Sequence, residues 1–95
     1  MEAAIAAFVW GSMTSGVTYD AIKVVLGGLT DKLKMFHDDG KQEEFNTTLE
    51  TICLANQEIK EKLEELQRTV TNGGDIKKIT DSFKNISNST INVNL

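Results

Sequence analysis

The stretch FNTTLETICLANQEIKEKLEELQRTV, residues 45–70, decides the fold. Phe45, Leu49, Ile52, Asn56, Ile59, Leu63, Leu66 and Val70 follow one another at spacings of 4, 3, 4, 3, 4, 3 and 4. That is the a/d repeat of a heptad, and it predicts one long amphipathic helix over 41–70 whose seam packs against other helices. Glu58 and Lys62, like Glu64 and Arg68, stand four apart in the order that supports a helix. The seam is apolar except at Asn56. On this register Asn56 is an a position, where a buried Asn bonded to a like residue fixes register and points to a parallel dimer. Two features favour a bundle instead: Cys53 and Leu54 widen the apolar face, and Lys60 and Lys62 at e and g have no acidic mates.

Upstream, Ile22, Leu26, Leu29, Leu33 and Phe36 repeat at 4, 3, 4, 3 and predict a second helix over 20–36 with its own seam. Gly27 and Gly28 fall inside it and mark a kink or the close approach of another backbone. Thr30 and Asp31 offer a cap for a fresh helix after them. His37-Asp38-Asp39-Gly40 reads as a solvated turn.

Residues 3–19 carry no charge, and Ala3 to Trp10 are apolar around every face, predicting an apolar helix over 2–16. Seventeen residues of helix would span about 25 Å, against a hydrocarbon core of ~30 Å. Small residues at Ala3, Ala7, Gly11 and Ser15 form a ridge of the kind that lets helices approach closely in membranes. Two readings stay open: a buried first helix of a bundle, or a membrane-inserting segment led by Ile5, Phe8, Val9, Trp10 and Met13.

Gly73 and Gly74 end the heptad helix, so a helical domain over 1–72 is expected, followed over 73–95 by a linker, a short amphipathic segment and a tail. The amphipathic segment places Ile76, Ile79, Phe83 and Ile86 at helical spacing. Ile91, Asn92, Val93, Asn94 and Leu95 alternate instead, the period of a strand. A lone strand needs a partner, and stacked copies would pair every backbone group and align the asparagines into ladders; the other reading is a polar tail without fixed structure. The fold class is therefore all-α, a small helical hairpin or bundle with heptad packing and a β-prone C-terminal tail.

Ninety-five residues bury a modest core, so self-association or a membrane is expected to add stability. Fourteen acidic residues against ten basic ones give a net charge of −4, which argues against a nucleic-acid partner. A lone cysteine, Cys53, and no cleavable leader place the chain in the cytoplasm, with membrane association as a further expectation. The sequons at Asn46, Asn85 and Asn88 then carry little weight. Catalysis needs a nucleophile with a base, paired carboxylates or a ligand cluster, and one histidine with one cysteine is a poor start. His37, Asp38 and Asp39 fall short of a zinc set, and neither a P-loop nor a dinucleotide fingerprint occurs. No enzyme, cofactor or metal is expected.

The order of parts resembles the bacterial HeLo-like, or Bell, cell-death effector domains. The resemblance is carried by the opening MEAAIAAFVW, the helical body to about Val70, and the Asn-rich end NISNSTINVNL, residues 85–95. It implies an oligomerising, membrane-active defence effector. In that family pattern an amyloid-like C-terminal motif pairs with a similar motif on a protein partner, the helical domain self-associates, and the first helix enters a lipid membrane. The alternative is a soluble coiled-coil scaffold or adaptor, or the N-terminal oligomerisation domain of a larger protein.

Overall fold

The heptad stretch folds as two helices. In the computed structural model, which describes residues 3–87, the order is α1 (Ala3–Ser12), α2 (Gly16–Leu26), α3 (Leu29–Asp38), α4 (Gln42–Ala55), α5 (Gln57–Thr71) and α6 (Ile76–Ser87). The described residues are all-α, as the periodicities predict, while Ile91–Leu95 lie outside them.

Asn56 makes the break. Its backbone is extended (φ −143°, ψ 98°), and its side-chain oxygen accepts the Ile59 backbone N–H at 3.2 Å. Asparagine suits this place because the first turn of a helix leaves N–H groups without intrahelical partners. Glu58 follows in that first turn, where a carboxylate meets the positive end of the helix dipole. The expected continuous helix 41–70, with Asn56 at a buried a position, is thereby corrected. A 4, 3 spacing belongs to a coiled-coil seam and equally to the apolar stripe of two successive bundle helices.

Across the break the seam stays apolar and turns inward. Phe45, Leu49, Ile52, Ile59, Leu63 and Leu66 are buried and Val70 is half-buried, in one cluster with Ile5, Val9, Ile22, Val25, Leu33 and Phe83. The seam is thus filled by residues of the same chain and is not left open for a two-stranded partner.

The expected helix 20–36 is likewise two helices, corrected at its glycines. Gly27 adopts φ +60°, a conformation rarely open to other residues, and its N–H closes α2 on the Lys23 carbonyl. α2 starts at Gly16, and α3 starts after Gly28 rather than at a Thr30–Asp31 cap. Ile22, Leu26 and Leu33 are buried, with Leu29 and Phe36 packed against them. Thr30 is fully buried, and its hydroxyl has no hydrogen-bond partner.

α1 is shorter than the expected 2–16 and ends at Ser12. The Ser12 hydroxyl donates back to the Phe8 carbonyl at 2.8 Å, the local bonding by which serine competes with a continuing helix. The boundary expected at residue 72 is also corrected, because α6 packs on α2 and α5 and puts Phe83 into the core. An amphipathic helix left free would have to expose that stripe.

Two substitutions test this account by chemical denaturation. Asn56→Leu removes a cap and should lower stability by about 1 kcal/mol, whereas the same change at a buried coiled-coil a position would raise it. Thr30→Val removes a buried unpaired hydroxyl and should stabilise by about 1 kcal/mol; a loss of that size would mean that the hydroxyl is bonded.

Candidate functional site

α1 is the element on which the functional expectations converge. Ile5, Val9 and Met13 point into the core, and Phe8 and Trp10 are half-buried against it. The outward side carries Ala4, Ala7 and Gly11, all exposed, and a Cβ added at Gly11 would meet nothing within 4 Å. Of the small-residue ridge, Ala7, Gly11 and Ser15 are exposed, so these positions do not serve close packing within the chain. Ten residues extend about 15 Å, and among the described residues no helix is long and apolar enough to cross a membrane.

Two sets of contacts hold α1 at its ends. Near its start, the Gln67 side-chain amide of α5 donates to the Ala4 carbonyl at 3.4 Å. Near its end, the Trp10 ring lies against His37 of α3, centroids 4.5 Å apart and tilted by 53°, and meets Phe45 of α4 edge-on at 4.9 Å. Such aromatic pairs add about 0.5–1.5 kcal/mol beyond the area they bury.

The way α3 ends sets the position of His37. Lys41 N–H bonds to the Phe36 carbonyl at 2.9 Å and Gly40 N–H to the His37 carbonyl at 3.1 Å, with φ +71° at Gly40. This is a Schellman close, and it needs the left-handed residue that glycine supplies. His37 therefore occupies the last turn of α3, its side chain 17% exposed, which corrects its reading as a solvated turn residue. Its Nδ1–H donates to Asp38 Oδ1 at 3.2 Å, the carboxylate oxygen that also takes the Lys34 ammonium at 2.8 Å. The Lys34 hydrogen bond, then the one from His37, hold the Asp38 carboxyl below its ordinary range.

The remaining chemistry-bearing side chains are dispersed. Cys53 is 2% exposed, and burial pushes its thiol pKa up, away from the reactive thiolate. Lys62 is buried on α5 and bonds to Glu58 at 3.2 Å, the i,i+4 pair expected from the sequence. No group of three or more His, Cys, Asp or Glu side chains able to hold a metal occurs among the described residues. A cleft of about 440 Å³ between α3 and α4 is lined by Lys32, Phe36, Glu43, Glu44, Thr47 and Thr48. An apolar niche of about 160 Å³ is lined by Leu29, Thr51, Ile52, Ala55 and Asn56, on the helix whose Leu54 is 78% exposed. The sequence signals the ring cluster only in that the chain has a single tryptophan and a single histidine.

Comparison with protein-family models, curated proteins and solved structures finds no match for this chain.

Asp38 gives the pH prediction for this site. A carboxyl held low in the folded state contributes stability that is present above its unfolded value and is lost as pH falls through the lower folded one. NMR titration should find the Asp38 carboxyl below the ordinary 3.8, and Lys34→Met should move it back up.

Proposed function

We propose that this protein is a non-catalytic helical interaction module that holds α1 in its bundle at rest and delivers it to a lipid surface when the bundle opens. The observation that carries the proposal is the character of α1. It has no charged residue from Ala3 to Ser12, and its outward face is Ala4, Ala7 and Gly11, where a surface helix ordinarily presents charged or polar side chains. Opening would add Ile5, Val9 and Met13 to the half-exposed Phe8 and Trp10. Each large apolar side chain transferred from water to an apolar phase contributes about 1.5–3 kcal/mol. A helix of about 15 Å cannot span a bilayer, so the delivered α1 would lie in the interface.

Leaving the bundle forfeits the core contacts of the same residues, so α1 delivery requires a second contribution. In this proposal self-association supplies it. The C-terminal segment ending in Ile91–Leu95 pairs with a similar motif on another copy or a protein partner, and the raised local concentration favours the opened form. This is the sequence of events that the resemblance to HeLo-like effectors implies, with a cytoplasmic resting form and a membrane-associated active one.

A soluble scaffold is the second reading, favoured by the complete burial of Ile5 and Val9, which suits α1 as a permanent part of the core. Sedimentation with anionic vesicles separates the two. The full chain should co-pellet with vesicles and make them leak, and Phe8→Asp should abolish both at unchanged helix content. A chain that stays in the supernatant, with α1 protected from protease, belongs to the scaffold reading.

A further inference from the structure

The connection from α5 to α6 holds the chain's one Asn-Gly pair, Asn72-Gly73. Asparagine is a thermolabile residue, and it converts fastest before glycine, because no side chain shields the glycine nitrogen from the asparagine amide. We infer that Asn72 is a site of spontaneous deamidation and that its isoaspartyl product loosens α6 from the bundle. The inference goes beyond the delivery of α1 and does not depend on it.

The step needs only base and water. The Gly73 nitrogen, its proton taken by base, attacks Asn72 Cγ; an N–Cγ bond forms, the Cγ–Nδ2 bond breaks, and ammonia leaves behind a succinimide ring. Water then opens the ring at one of its two carbonyls. Cleavage of the Cγ–N bond leaves an aspartate with the ordinary main chain. Cleavage between the Asn72 carbonyl carbon and that nitrogen leaves an isoaspartate, whose main chain runs through Cβ and Cγ. Nothing is oxidised or reduced.

Three observations place the step here and give it a consequence. Residues 72–75 are all exposed, so base and water reach the amide. The Gly73 N–H is bonded to the Val70 carbonyl at 3.2 Å, at a helix end, where local opening is least costly. The third is that the connection has no slack. Gly73, at φ +71°, and Gly74, whose N–H bonds to the Thr69 carbonyl at 2.8 Å, close α5 as a Schellman turn. Asp75 already caps α6, its Oδ1 accepting the Lys78 N–H at 3.1 Å. A Cβ added at Gly74 would stand 2.9 Å from Thr69 Cγ2, so the main chain between turn and cap lies tight on α5. An isoaspartate lengthens this main chain by one bond of about 1.5 Å. The extra length costs either the close of α5 or the cap of α6, and α6 is the helix that brings Phe83 to the core against α2 and α5. Either product also puts a carboxylate at the negative end of the α5 dipole, a charge that Arg68 in the same turn partly offsets.

Ageing the full chain in warm, mildly alkaline buffer, followed by peptide mapping in a mass spectrometer, tests the site. The acid form should accumulate at Asn72 ahead of Asn46 and Asn56, with isoaspartate in excess of aspartate, and Asn72→Gln should stay unconverted at that position over the same period. Conversion at Asn72 no faster than at Asn46 and Asn56 would overturn the assignment. The converted chain, separated by its added negative charge, then goes to hydrogen exchange beside the unaged chain. Its α6 amides around Phe83, referred to the α4 amides around Leu49, should open roughly tenfold more often, as expected for the loss of one or two closing bonds. Asn72→Asp, which adds the charge without lengthening the main chain, should change α6 opening much less. Equal α6 opening in converted and unaged chains would overturn the loosening, and an effect of the same size in Asn72→Asp would overturn its origin in the lengthened main chain.

Discussion

The bond from the Ile59 backbone N–H to the Asn56 side chain is the constraint on which the rest of the structure depends. Unbroken, residues 45–70 would form a rod of about 39 Å, longer than the 31 Å of the molecule's greatest extent. Its stripe would then need a partner along its whole length. The extended backbone at Asn56 lets α4 and α5 change direction and bring the two halves of the stripe to one core. Each half of the stripe is then buried in one cluster with Ile5, Val9, Ile22, Val25, Leu33 and Phe83 from the other helices.

With that core in place, the two flanking parts find their positions. α2 contacts α1, α3, α5 and α6, and its buried Ala21, Ile22, Val25 and Leu26 form the shared surface for both ends of the chain. α6 comes back onto α2 and α5 through Phe83, and α1 settles against α2, α4 and α5 through Ile5 and Val9, with Met13 buried just beyond its end. The same packing explains why an uncharged helix is tolerated at the surface. Ile5 and Val9 are taken wholly by the core and Phe8 and Trp10 partly, and the fully exposed positions are alanine and glycine, which expose little apolar area.

α1 is thus held by apolar packing along one side and by directional contacts at its two ends. Gln67 at Ala4 and His37 at Trp10 both come from outside the helix. The packing along one side depends only on the apolar area buried, whereas the two end contacts depend on the placement of single side chains of α3 and α5. The buried, unpaired hydroxyl of Thr30 is a small local loss on α3, the helix that carries His37.

Much of this was legible in the residues. The helical periodicities of residues 22–36, 45–70 and 76–86 belong to individual side chains, and any fold that buries them must make them helical and turn those faces inward. The apolar character of α1 and the glycine stops at Gly27, Gly40 and Gly73 are likewise properties of the chain itself. Tertiary structure decided what a one-dimensional spacing cannot hold. The 4, 3 repeat runs through Asn56 without a signal, because a seam and a cap both accept asparagine there, and only the direction of the next helix tells them apart. Burial of Ile5, Val9 and Met13 depended on whether another part of the chain would offer an apolar surface, and α2, α4 and α5 do. The meeting of Trp10, His37 and Phe45, from three helices, is a consequence of packing alone, since no local pattern links residues that lie 27 and 8 positions apart.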